Sequence, residues 1–204
     1  MKLRIVVCLS FVLFILLQAI AFAAPSLLSD TSRTTIVILP TIDNSGLKND
    51  QIVLDFLGEK LQGEFPKDKY DVLRGEKLKI ALSRIGVSDL TNASDAQIIE
   101  VCRSLHADYA LKPEIGNVTT KRGITLGLFE SKKWCKANLP LKVNVIDIAS
   151  EQTVYNNQFA EEGRHEVVPG FAHDVEAAKD AIAKILDKVD LAAAVPLINR
   201  NASE

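Results

Sequence analysis

Three groups of side chains in this 204-residue chain have types and spacings suited to chemistry. The first is Asp43-Asn44-Ser45-Gly46, a polar loop that follows the apolar run Ile36-Val37-Ile38-Leu39. Between a strand and a helix, backbone N–H groups can cradle an anion. The loop has neither a Walker lysine nor the G-x-G-x-x-G spacing, so it also reads as a polar turn that tolerates left-handed backbone. The second group pairs His165-Glu166 with His173-Asp174. These are metal-ligand types, but the spacing is not H-E-x-x-H, and Pro169 and Gly170 break the segment between them; loop residues and helix-start charges describe them better. The third is Cys102 with Cys135. An oxidising compartment permits a disulfide between them. Alternatively, Cys102 lies on the apolar stripe of a helix and behaves as a small buried hydrophobe.

Hydrolytic arrangements are missing from the pattern. No serine sits in a G-x-S-x-G elbow, and a buried Cys102 makes a poor nucleophile. Glu161 and Glu162 are adjacent on a strand end, so their carboxylates point to opposite faces and cannot work as an acid–base pair. His106 ends a helix, where a cation suits the dipole. The sequence therefore predicts no catalytic residue, no cofactor and no metal.

The elements that position these residues begin after a leader. Lys2 and Arg4 precede an apolar stretch over 5–20, and Ala21-Phe22-Ala23 supplies a small-x-small site, so residues 1–23 read as a secretory signal peptide. Cys8 lies too early to be a lipidated cysteine. Cleavage is expected after Ala23, leaving a soluble chain with no membrane span, a flexible arm over 24–33, one domain over 34–195 and a tail over 196–204. Of 24 basic residues, losing Lys2 and Arg4 leaves 22 against 26 acidic, a net charge of −4. No basic stripe is present, which excludes a nucleic-acid surface.

The run 36–39, rich in β-branched residues and stopped by Pro40, predicts a central strand buried on both faces. Helices follow over 50–65, around Leu78, Ala81, Leu82 and Ile85, and from Ser94 onward. Gly86 caps the second, and Ser94 with Gln97 forms a capping box at the start of the third. A short strand spans 70–73. Tyr109, Leu111, Pro113 and Ile115 alternate with polar or small residues, and Pro113 predicts that this strand lies at an edge or carries a bulge. Alternation over 139–148, a turn at 149–151 and a strand over 152–160 make an antiparallel hairpin. A long helix over 170–193 closes the chain, with Phe171, Val175, Ala178, Ile182, Ile185 and Val189 on its buried face. The order β-α-β-α-α-β-β-β-α predicts a single α/β domain with a mixed sheet and packing helices.

The tract 121–136 interrupts this pattern. Leu126, Leu128, Phe129 and Trp134 stand among basic residues that include Lys132 and Lys133, the mixture that protein interfaces favour. It reads as a partner surface, or as a β-hairpin arm folded onto its own domain with Trp134 buried.

Four phrases carry a resemblance: I-V-I-L-P-T-I-D-N-S, K-Y-D-V-L-R-G-E-K-L, L-H-A-D-Y-A-L-K-P-E-I-G and V-I-D-I-A-S-E-Q-T-V. In this order they resemble the anticodon-binding-like domain shared by the curli pore protein CsgG, the TolB N-terminal domain and LpoB-type activators. The resemblance spans nearly all of the mature chain. It implies a cell-envelope protein of a bacterium with an outer membrane, acting by contact with other envelope proteins. The lipobox of CsgG and LpoB is absent, and 121–136 is too short and too charged for the membrane-spanning hairpins of a pore. The expected function is that of a secreted, non-enzymatic periplasmic protein that binds envelope proteins and can self-associate. The alternative is a small periplasmic ligand-binding or hydrolytic domain using the loop after the first strand.

Overall fold

Residues 33–48, 50–84, 86–87, 93–127, 131–168, 171 and 173–198 are described by the computed structural model. The leader, the arm up to residue 32, Leu128, Phe129 and the tail from residue 199 lie outside them. Within this part of the chain the strands are β1 (Thr34–Ile38), β2 (Ile42–Asp43), β3 (Tyr70–Leu73), β4 (Tyr109–Ile115), β5 (Thr119–Leu126), β6 (Ser131–Asp147) and β7 (Gln152–Val167). The helices are α1 (Asp50–Gly63), α2 (Glu76–Arg84), α3 (Asp95–Ser104), α4 (Asp174–Leu186) and α5 (Leu191–Ala194).

The apolar run does form the middle of the structure. Ile36 and Val37 are fully buried, and β1 pairs in parallel with β3 on one side and β4 on the other. Because successive side chains of a strand point to opposite faces, Ile36 and Ile38 enter one core and Val37 and Leu39 the other. The first core is closed by α1 and α4, through Val53, Leu57, Leu61, Ala181, Ile182 and Ile185. The second is closed by α2 and α3, through Leu78, Leu82, Ile98 and Val101. The result is an α/β domain with helices on both faces of a mixed sheet.

Local signals start and stop these helices. In α3 the Gln97 N–H donates to Ser94 Oγ at 3.4 Å, and the Ser94 N–H donates to Gln97 Oε1 at 3.0 Å, completing the expected box. Gly86 takes φ +74° after α2, and the Val87 N–H reaches back to the Leu82 carbonyl. The last helix is shorter than its periodicity predicts. It runs Asp174–Leu186, and α5 then starts afresh because Asp190 Oδ1 accepts the Ala193 N–H at 2.9 Å. Phe171, expected on its buried face, precedes the helix and is exposed.

Strand β6 organises the second half of the sheet. One edge gives its 141–147 half to β4 and its 131–138 half to β5, while β7 runs along the other edge from 133 to 147. Both strands extend beyond their predicted ends, since Cys135, Ala137 and Gly163 continue the buried alternation as residues too small to stand out. Strand β4 is central rather than at an edge, which corrects the expectation drawn from Pro113. The Leu39 and Asn44 N–H groups donate to the carbonyls of Leu111 and Ile115, so the odd residues of β4 turn their polar groups toward β1 and β2. Pro113 therefore lacks its N–H opposite the gap between those two strands, where no ladder bond is needed.

Candidate functional site

The tract read as irregular is a β-hairpin. Lys121, Gly123 and Thr125 of β5 stand opposite Lys136, Trp134 and Lys132 of β6 on one face of the sheet. Arg122, Ile124 and Leu126 point to the other face, toward α4. Two surfaces result.

On the α4 side, Arg122 forms a salt bridge with Asp174, the first residue of the helix, where a carboxylate also suits the dipole. Cys135 Sγ lies 3.3 Å from the same Asp174 oxygen. The Arg122 guanidinium holds the Asp174 carboxyl below its ordinary value of 3.8. Burial, reinforced by Asp174, pushes the Cys135 thiol up. Past this anchor, toward the hairpin end, the helix no longer covers the sheet. Ile124 is 59%, Leu126 82% and Phe171 75% exposed. Lys133 groups them: it faces Ile124 across the strands and rests its ammonium 4.5 Å from the centre of the Phe171 ring. Large apolar side chains gathered in the open are a feature that interaction surfaces share.

The opposite face is covered by α2 and α3 over β3, β1, β4 and the Ile146 end of β6. Over β5–β6–β7 it carries Lys136, Asn138, Lys142, Glu162, Arg164 and Glu166 around a half-buried Trp134. The indole lies flat across Gly123, where any Cβ would overlap the ring, and the Arg164 guanidinium sits 5.7 Å above it. Trp134 is thus supported by its own sheet without being enclosed. Lys136 holds Glu162 at 2.5 Å and depresses its carboxyl.

Of the residues singled out from sequence, Lys132, Lys133 and Trp134 fall on this hairpin, with Trp134 and Lys133 on opposite faces. Leu128 and Phe129 lie outside the described residues. Leu126, part of the same tract, is on the Lys133 face, while Ile124 and Phe171 were missed. The i, i+2 spacing of Ile124 and Leu126 was a strand signal, obscured by Gly123 and Gly127.

The loop after β1 is a closed turn rather than an anion cradle. Ser45 N–H donates to Asp43 Oδ1 at 2.9 Å, Leu47 N–H to Ser45 Oγ at 3.2 Å and Asn44 N–H to the Ile115 carbonyl at 2.9 Å. The amides of Asn44, Ser45 and Leu47 are thus satisfied inside the chain, and Gly46 supplies the left-handed residue at φ +66°. Burial alone would raise the Asp43 carboxyl, but hydrogen bonds from Ser45 outweigh it and hold Asp43 low. A charged carboxylate in the loop repels an incoming anion.

The two cysteines are free thiols in cores on opposite faces of the sheet, so the disulfide read as permitted is not formed. Cys102 points from α3 into the core, where burial drives its pKa up to about 12, and Cys135 lies under α4. The sheet stands between them. His165 and His173 stack with ring centres 6.1 Å apart, and the His173 N–H donates to His165 Nδ1 at 3.0 Å. Glu166 pairs with Arg164 and Asp174 with Arg122, so their neighbouring carboxylates are engaged. No group of three or more His, Cys, Asp or Glu among the described residues could hold a metal ion. No helix among them is long and apolar enough to cross a membrane.

No protein-family model matches the chain, and no curated protein matches it. Among solved structures, the LpoB C-terminal domain from Escherichia coli is similar at 12% identity and a TM-score of 0.45, over 65% of this chain and 85% of that one. A lipoprotein from Neisseria meningitidis is similar at 12% identity and 0.43, over 76% and 99%. A putative neuraminyllactose-binding hemagglutinin homolog from Helicobacter pylori is similar at 16% identity and 0.44, over 80% and 81%.

Proposed function

We propose that this chain is a secreted, non-enzymatic cell-envelope protein that works in the periplasm by contact with another envelope protein, and that the end of the β5–β6 hairpin makes the contact. The observation that carries this reading is the exposed cluster of Ile124, Leu126 and Phe171 beyond the start of α4. Lys133 lies within it, against Phe171 and opposite Ile124, so the fitting partner offers an apolar groove with an acidic group at its rim. The leader and the ordered resemblance to the anticodon-binding-like domain support the envelope setting. Asp174, Arg122 and the Gly123–Trp134 pair hold the hairpin base in place, which limits the ordering cost of binding.

The test compares the mature chain with a Leu126→Ser/Phe171→Ser double variant, both immobilised against envelope extract. Both substitutions are at exposed positions, so the unfolding midpoints should agree. Loss of a captured protein with stability unchanged supports the reading, and equal capture by both chains overturns it. Two side arms separate other occupants of the same patch. Binding to anionic lipid vesicles that the double variant loses replaces the protein partner with a membrane surface. A concentration-dependent dimer that the double variant loses makes the partner a second copy of this chain.

A further inference from the structure

At the C-terminal ends of β1 and β3 the chain leaves the sheet in two directions. Helix α1 crosses one face and packs with Ile36 and Ile38, while α2 crosses the other and packs with Val37 and Leu39. Where helices part in this way, an open α/β sheet leaves a crevice beyond the strand ends, and ligands of such sheets bind there. Here the crevice is a cleft of about 300 Å³. Leu54 and Leu78 form apolar walls, and Thr41, Arg74 and Lys79 bring polar groups to it.

The charge in this cleft is unbalanced. Arg74 spends its Nε–H on Gln62 Oε1 at 2.6 Å, and neither Arg74 nor Lys79 pairs with a carboxylate among the described residues. The one acid lining the cleft, Asp55, accepts a bond from Gln51 at 2.8 Å. Two cations therefore face one carboxylate. Gly58 leaves room for the guanidinium: a Cβ there would lie 2.7 Å from Arg74 Nη1, so the tip of the side chain would have to shift. Glycine inside a helix is unfavourable, and in α1 it makes room for a cation beside a cavity. A planar guanidinium with N–H groups to spare, next to apolar walls, matches a carboxylate carried on a compact apolar body.

We propose that this cleft binds a small organic carboxylate, with Arg74 and Lys79 receiving the anionic end and Leu54 and Leu78 the apolar body. The site shares no residue with the hairpin surface and stands or falls independently of it.

Benzoate is the probe. Titrated into the isotope-labelled mature chain at constant ionic strength, it should shift the amide resonances of Thr41, Gly58 and Gly75 along saturating curves. Arg74→Gln and Lys79→Ala should each weaken that saturation by about tenfold, the scale of one charge-assisted hydrogen bond. Lys79 is exposed, so its variant keeps the test valid if Arg74→Gln fails to fold. Absence of shifts at the cleft, shifts of equal affinity in both variants, or the same shifts from chloride alone would each overturn the proposal.

Discussion

Gly163 of β7 and Ala177 of α4 meet backbone to backbone: a Cβ built on Gly163 would overlap the Ala177 carbonyl oxygen and the Ala181 amide nitrogen. The helix presents Ala177, Ala178 and Ala181 to the sheet, so small residues on both sides set the approach. This closeness also protects the strand. Asp180 Oδ2 accepts the Arg164 N–H at 2.8 Å, and Lys184 Nζ donates to the Glu162 carbonyl at 3.0 Å, closing the outer edge of β7 at that point. An open edge invites pairing with other chains, and side chains that occupy its polar groups prevent this.

Gly163→Ala should therefore lower unfolding stability by about 3 kcal/mol or more, the upper end of the cost of overfilling a packed site, because the obstruction is backbone and cannot rotate away. Gly63→Ala is the control. It has no atom within 4 Å of its added Cβ, and it should change stability by less than about 1 kcal/mol. Denaturant melts of the two variants decide whether α4 lies where described; equal midpoints would remove it from β7.

The two thiols should be unreactive in the native protein and both reactive once it unfolds. Burial raises the pKa of each, to about 12 for Cys102, and only the thiolate is a nucleophile. Ellman titration with and without denaturant, and intact mass under non-reducing conditions, measure this. A mass two hydrogen atoms lower, or no titratable thiol in denaturant, would restore the disulfide.

Asp174 makes the hairpin anchor pH-dependent. Its folded pKa lies below the ordinary 3.8, chiefly through the Arg122 bond, so the folded state favours the ionised form. The sign follows from linkage: the contribution is fully present above 3.8 and is lost as pH falls through the lower folded value. The stability gap between wild type and Asp174→Asn should be constant at neutral pH and narrow below 3.8. A gap that widens on acidification would contradict the assignment.

Ile38→Ala and Trp134→Ala should differ in size. Ile38 is buried in the core beneath α1, and its truncation should cost about 2–5 kcal/mol. Trp134 is half-buried over Gly123 beneath Arg164, so its loss should stay below the roughly 3–5 kcal/mol of a fully enclosed tryptophan. Equal losses would place the indole inside a core.

Position along the chain was enough to specify the elements whose signals are local. The β-branched run 36–39, the Ser94–Gln97 box, Gly86 as a cap and the i, i+4 stripe of α1 each act through neighbours a few residues away, and each stands in the structure as read. The class, α/β with a mixed sheet, follows from their order. Only the tertiary structure could decide what depends on residues far apart. Pro113 signalled an edge, yet β4 is central, because the gap between β1 and β2 falls opposite the missing N–H. Cys102 and Cys135 left a disulfide and a buried thiol both open, and the sheet that separates them decides for free thiols. Phe171 fitted the stripe of α4, but the helix begins at Asp174, which leaves the ring beside Ile124 and Lys133 at the hairpin end. Gly123 and Gly127 made the tract look broken, whereas Gly123 is the floor on which Trp134 rests. Periodicity reports which face of an element is apolar; whether another element reaches that face is settled by packing across the whole chain.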